Sequence, residues 1–391
     1  MNHTALEDPL SLLASDFDWK REAQRNITTL KQLKEYIDIT PEEEEDLQEV
    51  IYLHPMNIPR YYMELIDKTD PNDPIRKLAV PSVEELVVAG HMGETTGDPY
   101  GDDQHDKGNG ILHKYAYSAL VIATEYCAMY CRHCFRKRMV GLENEQTVEN
   151  FQEAAKYIAK HPEITNVIIS GGDPMMLPTK LLGRMLECLK DIEHVNYVRI
   201  GSRAPVTNPA RFFDDSLIAL LEDFNRHKAL FVPTHFNHVR EITPLSSEAV
   251  ARIRGAGITV NNQAVLLKGV NDSAEAIENL MNGLLRIGVN PYYLYQCMPV
   301  ARVRDHFQLP LKLAVDLVDE ARSRLDGYAK RFKFIIAHDI GKIEIIGRMG
   351  NKLVLKQLHV RQENPEEASR LFLRELNETG GWLDDLPEVN D

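Results

Sequence analysis

Six short β-rich apolar runs alternating with amphipathic helical segments predict an α/β fold. The form expected is a partial (β/α)6 TIM-like barrel with an N-terminal helical extension and a C-terminal α+β extension. Three observations lead there: a helical pattern before about residue 112, strict βα alternation over 113–330, and a change back to strand-like runs over 331–391. Six units rather than eight imply a barrel open on one side.

The N-terminal part contains a helix start with a physical basis. Thr40 is placed as N-cap, Pro41 at the first helical position, and Glu43 where a capping box needs it. Residues 18–37 and 47–53 also show helical apolar spacing. Asp70-Pro71-Asn72-Asp73-Pro74 breaks the chain, and a Gly/Asp-rich loop over 93–110 ends the region.

The six runs are residues 119–123, 166–170, 197–200, 230–234, 258–261 and 292–295, with helices such as 148–159, 177–189, 274–285 and 311–325 between them. Polar residues gather immediately after the runs: 125–134, 170–174, 201–203, 235–238, Gln263 and 296–297. Parallel βα sheets place function at the carboxyl ends of their strands, so this clustering points to one cofactor-lined mouth. Farther on, 334–336 and 343–346 read as short strands around a turn at 338–342, with 353–360 extending them. A final helix is expected over 366–376, followed by a Gly/Asp-rich tail expected to be mobile or an assembly arm.

Composition excludes several functions. With 59 acidic and 45 basic residues the formal charge is -14, which opposes a broad grip on nucleic acid or on an anionic membrane. No apolar run approaches the roughly 20 residues of a spanning helix, and the start lacks the regions of a signal peptide. A cytoplasmic protein acting on small molecules is expected. Five cysteines, three of them within 127–134, make no disulfide framework.

Those three, Cys127, Cys131 and Cys134, have Cys-x3-Cys-x2-Cys spacing in the loop after the first run. Three thiolates can hold three irons of a cubane and leave the fourth open. A zinc site using His133 is the alternative, but zinc knuckles usually add a second ligand pair, and none is present. After the second run, Ser170, Gly171, Gly172 and Asp173 provide a strand end that a ligand could approach closely.

The cysteine loop resembles that of the radical S-adenosylmethionine (SAM) superfamily. The resemblance implies a [4Fe–4S] cluster on the three cysteines and SAM chelating its open iron. Cleavage of SAM then yields a 5'-deoxyadenosyl radical. It also implies that Ser170, Gly171, Gly172 and Asp173, with Ser202, Arg203, His235 and Gln263, form the SAM pocket.

Further collinear stretches, among them Cys131-Arg132-His133-Cys134, Thr234-His235-Phe236-Asn237-His238 and Leu267-Lys268-Gly269-Val270-Asn271-Asp272, resemble the lysine 2,3-aminomutase family. This implies migration of an amino group between Cα and Cβ of an amino acid, with pyridoxal 5'-phosphate (PLP) as carrier. PLP needs a lysine for its resting Schiff base. Lys342 matches that lysine, with Lys352 and Lys356 as rivals. By the same resemblance Arg136 holds the substrate carboxylate, Lys114 lies near the PLP phosphate, Asp98 belongs to the site, and Ser118 stands where a second basic residue is usual. A flavodoxin- or ferredoxin-type reductant and a homo-oligomer are further implications.

The likeness fails at the substrate. Lysine-specific members grip the distal ammonium with two aspartates, but Met298 and Ile335-Ile336-Ala337 occupy those places. Arg302 and Arg304 enter near the mouth, with His338 and Asp339 beside the lysine turn. A substrate other than free lysine, with a neutral or acidic side chain, is expected, glutamate being the leading candidate. Solvent-facing arginines are the plain alternative. Ser273 replaces a cysteine of the family's structural zinc site, so no zinc is expected. Two other functions stay open: radical SAM chemistry on a protein-bound or modified amino acid, and a non-enzymatic Fe–S or zinc protein for binding or sensing.

Overall fold

The computed structural model describes residues 19–87, 98–141, 148–361 and 365–389. The chain start, Asp18, positions 93–97 of the Gly/Asp-rich loop and the last two residues of the tail lie outside the described residues.

One sheet of eleven strands runs through the molecule in sequence order. The strands are β1 (Ile111–Tyr115), β2 (Ser118–Thr124), β3 (Asn166–Gly171), β4 (Tyr197–Ile200), β5 (Ala229–Thr234), β6 (Thr259–Leu266), β7 (Asn290–Gln296), β8 (Lys333–His338), β9 (Gly341–Met349), β10 (Lys352–Val360) and β11 (Leu371–Glu375). The six expected runs are β2 to β7. Strands β2 to β8 pair in parallel, so β8 completes the last of six βα crossovers. The crossover helices are Val148–Ala159, Thr179–Lys190, Asp215–His227, Pro244–Gly255, Ala274–Arg286 and Leu311–Arg324. Each buries an apolar stripe against the sheet, as Leu182, Met185, Leu186 and Leu189 do on the second.

The Thr40 cap is present: its side chain accepts from Glu43 N while Glu43 reaches back to the cap, and the helix spans Pro41–Leu53. The other N-terminal helices are short, Trp19–Ala23 and Leu30–Leu33 among them. They do not form a separate core. Leu33, Ile58 and Met63 belong to the same buried cluster as the barrel's Val121, Ile169 and Val232.

Three features differ from the sequence expectation. His113-Lys114-Tyr115 lies on β1, a strand antiparallel to β2. Residues 371–375, expected within a helix, form β11 instead, because the open edge of β10 offers backbone partners from Lys352 to Lys356. The tail is not an arm. Trp382, Leu383 and Leu386 are buried, Leu311 N donates to Gly380 O, and Gln296 Nε2 donates to Gly381 O, so the tail is fastened beside the carboxyl end of β7. Among the described residues no helix is long and apolar enough to cross a membrane.

Candidate active site

The cysteine loop leaves β2 and is held from several directions. Asn57 Nδ2 donates to Cys127 O and Ala128 O, Asn26 Nδ2 donates to Ala128 O, and Tyr130 N donates to Asn57 O. Between the second and third cysteines, fully buried Arg132 makes a bidentate pair with Glu85 at 2.8 and 2.6 Å, and Lys137 Nζ reaches the same carboxylate at 2.5 Å. Burial pushes the Glu85 pKa up, but the two cations outweigh it and hold the carboxyl below its usual range. Burial lowers Lys137 to about 8 against the pull of Glu85. The basic stretch 136–138 is therefore not a solvated patch: Arg136 and Lys137 are buried.

Glycines seat the loop on β3. A Cβ on Gly172 would stand 2.4 Å from Tyr126 O, and one on Gly171, whose φ is +114°, would stand 2.3 Å from Thr124 O. What comes close to these glycines is the cysteine loop's own backbone. Asp173 is likewise spent within the protein, accepting from Arg203 N, Ala204 N and Met175 N at 2.9, 2.9 and 3.1 Å. Its burial nonetheless raises its pKa.

Arg203 ties the ends of β4 and β5 to the loop. Its Nη1 donates to Cys131 Sγ at 2.7 Å, Nη2 to Glu241 at 2.7 Å, and Nε to His235 O at 3.0 Å. Burial opposes its charge, but Cys131 and Glu241 more than compensate, so its pKa is raised. Burial and then Arg203 lower His235 to about 4, leaving a neutral imidazole with a backbone hydrogen bond to Gln263. Ser202 is buried beside them, its Oγ accepting from Ala204 N. The structure thus brings Cys127, Cys131, Cys134, Ser170 to Asp173, Ser202, Arg203, His235 and Gln263 to the carboxyl ends of β2 to β6.

Lys342 lies second on β9, paired across from Ala337 on one side and His359 on the other. Its Nζ stands 5.0 Å from the Tyr293 ring and 5.8 Å from that of Tyr295. Burial first, then the charges of Arg199 and Lys114, lower it to about 7. Of the rivals, Lys352 lies 3.9 Å from Glu375 with 42 % of its side chain exposed, and Lys356 pairs across from Glu344 on β9 and Leu371 on β11. Lys114, on β1, donates to Tyr100 O at 2.6 Å and His338 O at 3.0 Å, and burial lowers it to about 8.

The substrate candidates divide. Arg136 is aimed by Asp102, which takes its Nε at 3.0 Å, while its Nη1 donates to Ser170 Oγ at 3.3 Å. Asp98 accepts from Asp103 N and lies 3.6 Å from Arg138, so it organises its own loop. Arg304 is taken by the tail's Asp385 at 2.7 Å, which removes it from the substrate candidates. Arg302, at a positive φ of 62°, keeps a buried Nε without a hydrogen-bond partner. His338 pairs with Asp384 and stacks on Trp382, and Asp339 pairs with Arg361. Met298 packs against the core, and Ile335, Ile336 and Ala337 are buried.

Sequence reasoning missed Asn26, Asn57, Glu85, Asp102 and Arg199. Only Glu85 carried a local signal, as the third position of a capping box begun by Ser82.

Among the described residues no three His, Cys, Asp or Glu side chains stand close enough to cage an ion as they are. The fit of an iron–sulfur cluster rests on the donor set. Three thiols share one loop: burial first and then Asp173, Cys134 and Cys131 raise the pKa of Cys127, and burial followed by Cys131 raises Cys134 to about 11. His133, the possible fourth zinc ligand, faces Asn237 at 3.5 Å and the Phe307 ring. Ser273 is the N-cap of Ala274–Arg286, its Oγ accepting from Ala276 N.

Residues 121–281 match the radical SAM superfamily, so the barrel and its three-cysteine loop are those of a radical SAM enzyme. The L-lysine 2,3-aminomutase of Clostridium subterminale is 37% identical over 80% of this chain and 73% of its own length. A protein of Aquifex aeolicus (strain VF5) whose name carries the words L-lysine 2,3-aminomutase is 38% identical over 92% of this chain and 96% of its own. The glutamate 2,3-aminomutase of Clostridioides difficile (strain 630) is 34% identical over 82% and 75%. The chain belongs to the radical SAM lysine 2,3-aminomutase family, whose members are isomerases that use a [4Fe–4S] cluster, SAM and PLP.

Proposed function

We propose that this enzyme moves an amino group between Cα and Cβ of an amino acid other than free lysine, glutamate being the leading candidate. The observation that carries this is the apolar character of Met298 and of Ile335-Ile336-Ala337, which offer no carboxylate to a distal ammonium. An ammonium buried without one costs several kcal/mol. Arg302, with its unpartnered Nε in the same loop as Met298, suits an acidic side chain instead.

In this reading Cys127, Cys131 and Cys134 hold the cluster, and Gly171 to Asp173, Ser202, His235 and Gln263 wall the SAM site. Lys342 is the PLP lysine. An amine with a pKa of about 7 is substantially deprotonated at neutral pH and therefore nucleophilic without a separate base. Arg136, aimed by Asp102 and Ser170, donates to the substrate carboxylate from its remaining N–H groups. The bound cofactors supply the hydrogen-abstracting radical and the conjugated carrier. The protein aligns the reacting carbon and excludes water. A flavodoxin- or ferredoxin-type reductant and a homo-oligomeric state belong to the same proposal.

The test is an anaerobic assay of the proteinogenic amino acids one at a time for β-amino isomers. Turnover of glutamate or another non-lysine substrate is expected, and efficient turnover of lysine alone would refute the reading.

A further inference from the structure

Inside the barrel beside Lys342 stands a second cation that the cofactor and substrate assignments above leave unused. Arg199 is the third residue of β4, and its named partners are neutral: Nη2 donates to Ser118 Oγ at 2.9 Å and to Asn166 Oδ1, and the guanidinium lies 5.8 Å from the Tyr197 ring. Its Nε–H is buried with no hydrogen-bond partner. Arg132, Arg136 and Arg203 near the site have a carboxylate within 3.0 Å, whereas Arg302, on the loop after β7, shares with Arg199 a buried Nε without a partner. A guanidinium kept inside a fold with a spare N–H and only neutral neighbours is costly unless an anion completes it.

The location narrows the anion. Ser118, which Arg199 bonds, pairs across from Tyr115 on β1; the Tyr115 ring lies 5.7 Å from that of His359, the cross-strand partner of Lys342, and Lys114 beside Tyr115 donates to His338 O, so the three cations border one region of the interior. Ser118, short and neutral, lets the Arg199 guanidinium come in from β4 over the start of β2. A planar fork with two N–H edges suits a phosphate monoester.

We infer that Arg199 is a binding residue for the phosphate of the PLP that Lys342 carries, acting together with Lys114. The inference rests on the assignment of Lys342 above. It makes the cofactor's phosphate span two strands, β1 and β4, rather than β1 alone.

The experiment compares the affinity of the apoprotein for PLP with that for pyridoxal, which has the same aldehyde and ring but no phosphate, by visible absorbance titration. Arg199→Gln should weaken PLP about tenfold or more while leaving pyridoxal within about twofold, because one charge-assisted contact is lost only where phosphate is present. Arg199→Lys, which can keep the donor to Ser118, should recover part of the preference. Equal loss for both ligands would mean that Arg199 only braces β2 to β4, and would overturn the inference, as would an unchanged PLP-to-pyridoxal ratio. A retained ratio with weakened amino-acid binding would assign the guanidinium to the substrate carboxylate and overturn it too. If wild-type protein captures neither aldehyde, the Lys342 assignment fails and this inference with it.

Discussion

The cysteine loop and the neighbourhood of Lys342 both gather buried and part-buried cations, yet they pair them differently. Around the loop, Arg132 and Lys137 share Glu85, Arg136 meets Asp102, and Arg203 meets Glu241 and a thiol. Around Lys342 the cations meet carbonyls, hydroxyls and rings: Lys114 with Tyr100 O and His338 O, Arg199 with Ser118, Lys342 with Tyr293. Carboxylate pairing fixes the geometry around the loop, where Glu85 pulls against the burial that lowers Lys137 to about 8, whereas burial, Arg199 and Lys114 lower Lys342 to about 7 with no acid pulling against them. One region is braced to stay still; the other is poised for chemistry.

This contrast can be broken at either end. The largest effect on activity is expected from Lys342→Ala, which should abolish turnover and the visible absorbance of bound PLP while melting temperature and iron per chain stay unchanged. Uptake of PLP by the wild type should rise as pH climbs through about 7, because the lowered pKa makes the amine neutral there rather than near its ordinary 10.5. If Lys342→Ala also lost iron, the two regions would not be separable.

Glu85→Gln is the reciprocal test. It leaves Arg132 and Lys137 buried without their carboxylate, a loss of about 3–5 kcal/mol. Lower thermal stability and lower iron content after reconstitution are expected; an unchanged melting curve would show that the bracing is dispensable. Asp385→Ala should matter least. It removes a largely shielded ion pair to Arg304 and the acceptor for Gly381 N and Trp382 N, about 2–3 kcal/mol in all, and should read out as faster proteolysis of the tail with iron content intact.

How much of this was legible beforehand follows from how local each signal is. Strands β2 to β7 were readable because a parallel strand covered on both faces is a continuous apolar run, and Val167-Ile168-Ile169 is one. The cysteine cluster was visible from its spacing, which by itself left iron–sulfur and zinc readings both open. β1 was not, since His113 and Lys114 are polar residues buried by tertiary contacts. β11 was misread because Leu371, Phe372, Leu373 and Leu376 satisfy both a helical and a strand period, and the open edge of β10 decided between them. Asn26, Asn57 and Glu85 are ordinary polar residues that gain meaning only when the fold carries them across 47 to 102 positions to the loop. The same holds for Arg199, whose proposed role depends on its contact with Ser118.

The hydrogen bond from Arg203 to Cys131 Sγ has a consequence for electron transfer. In the proposed reading, where Cys131 holds the cluster, a guanidinium donating to its sulfur would favour the more negative, reduced form and so move the reduction potential upward. Because Glu241 takes the other side of the same guanidinium, part of that pull is cancelled. In that reading the pair Arg203 and Glu241 would act as a fixed electrostatic setting on how strong an electron donor the enzyme must find.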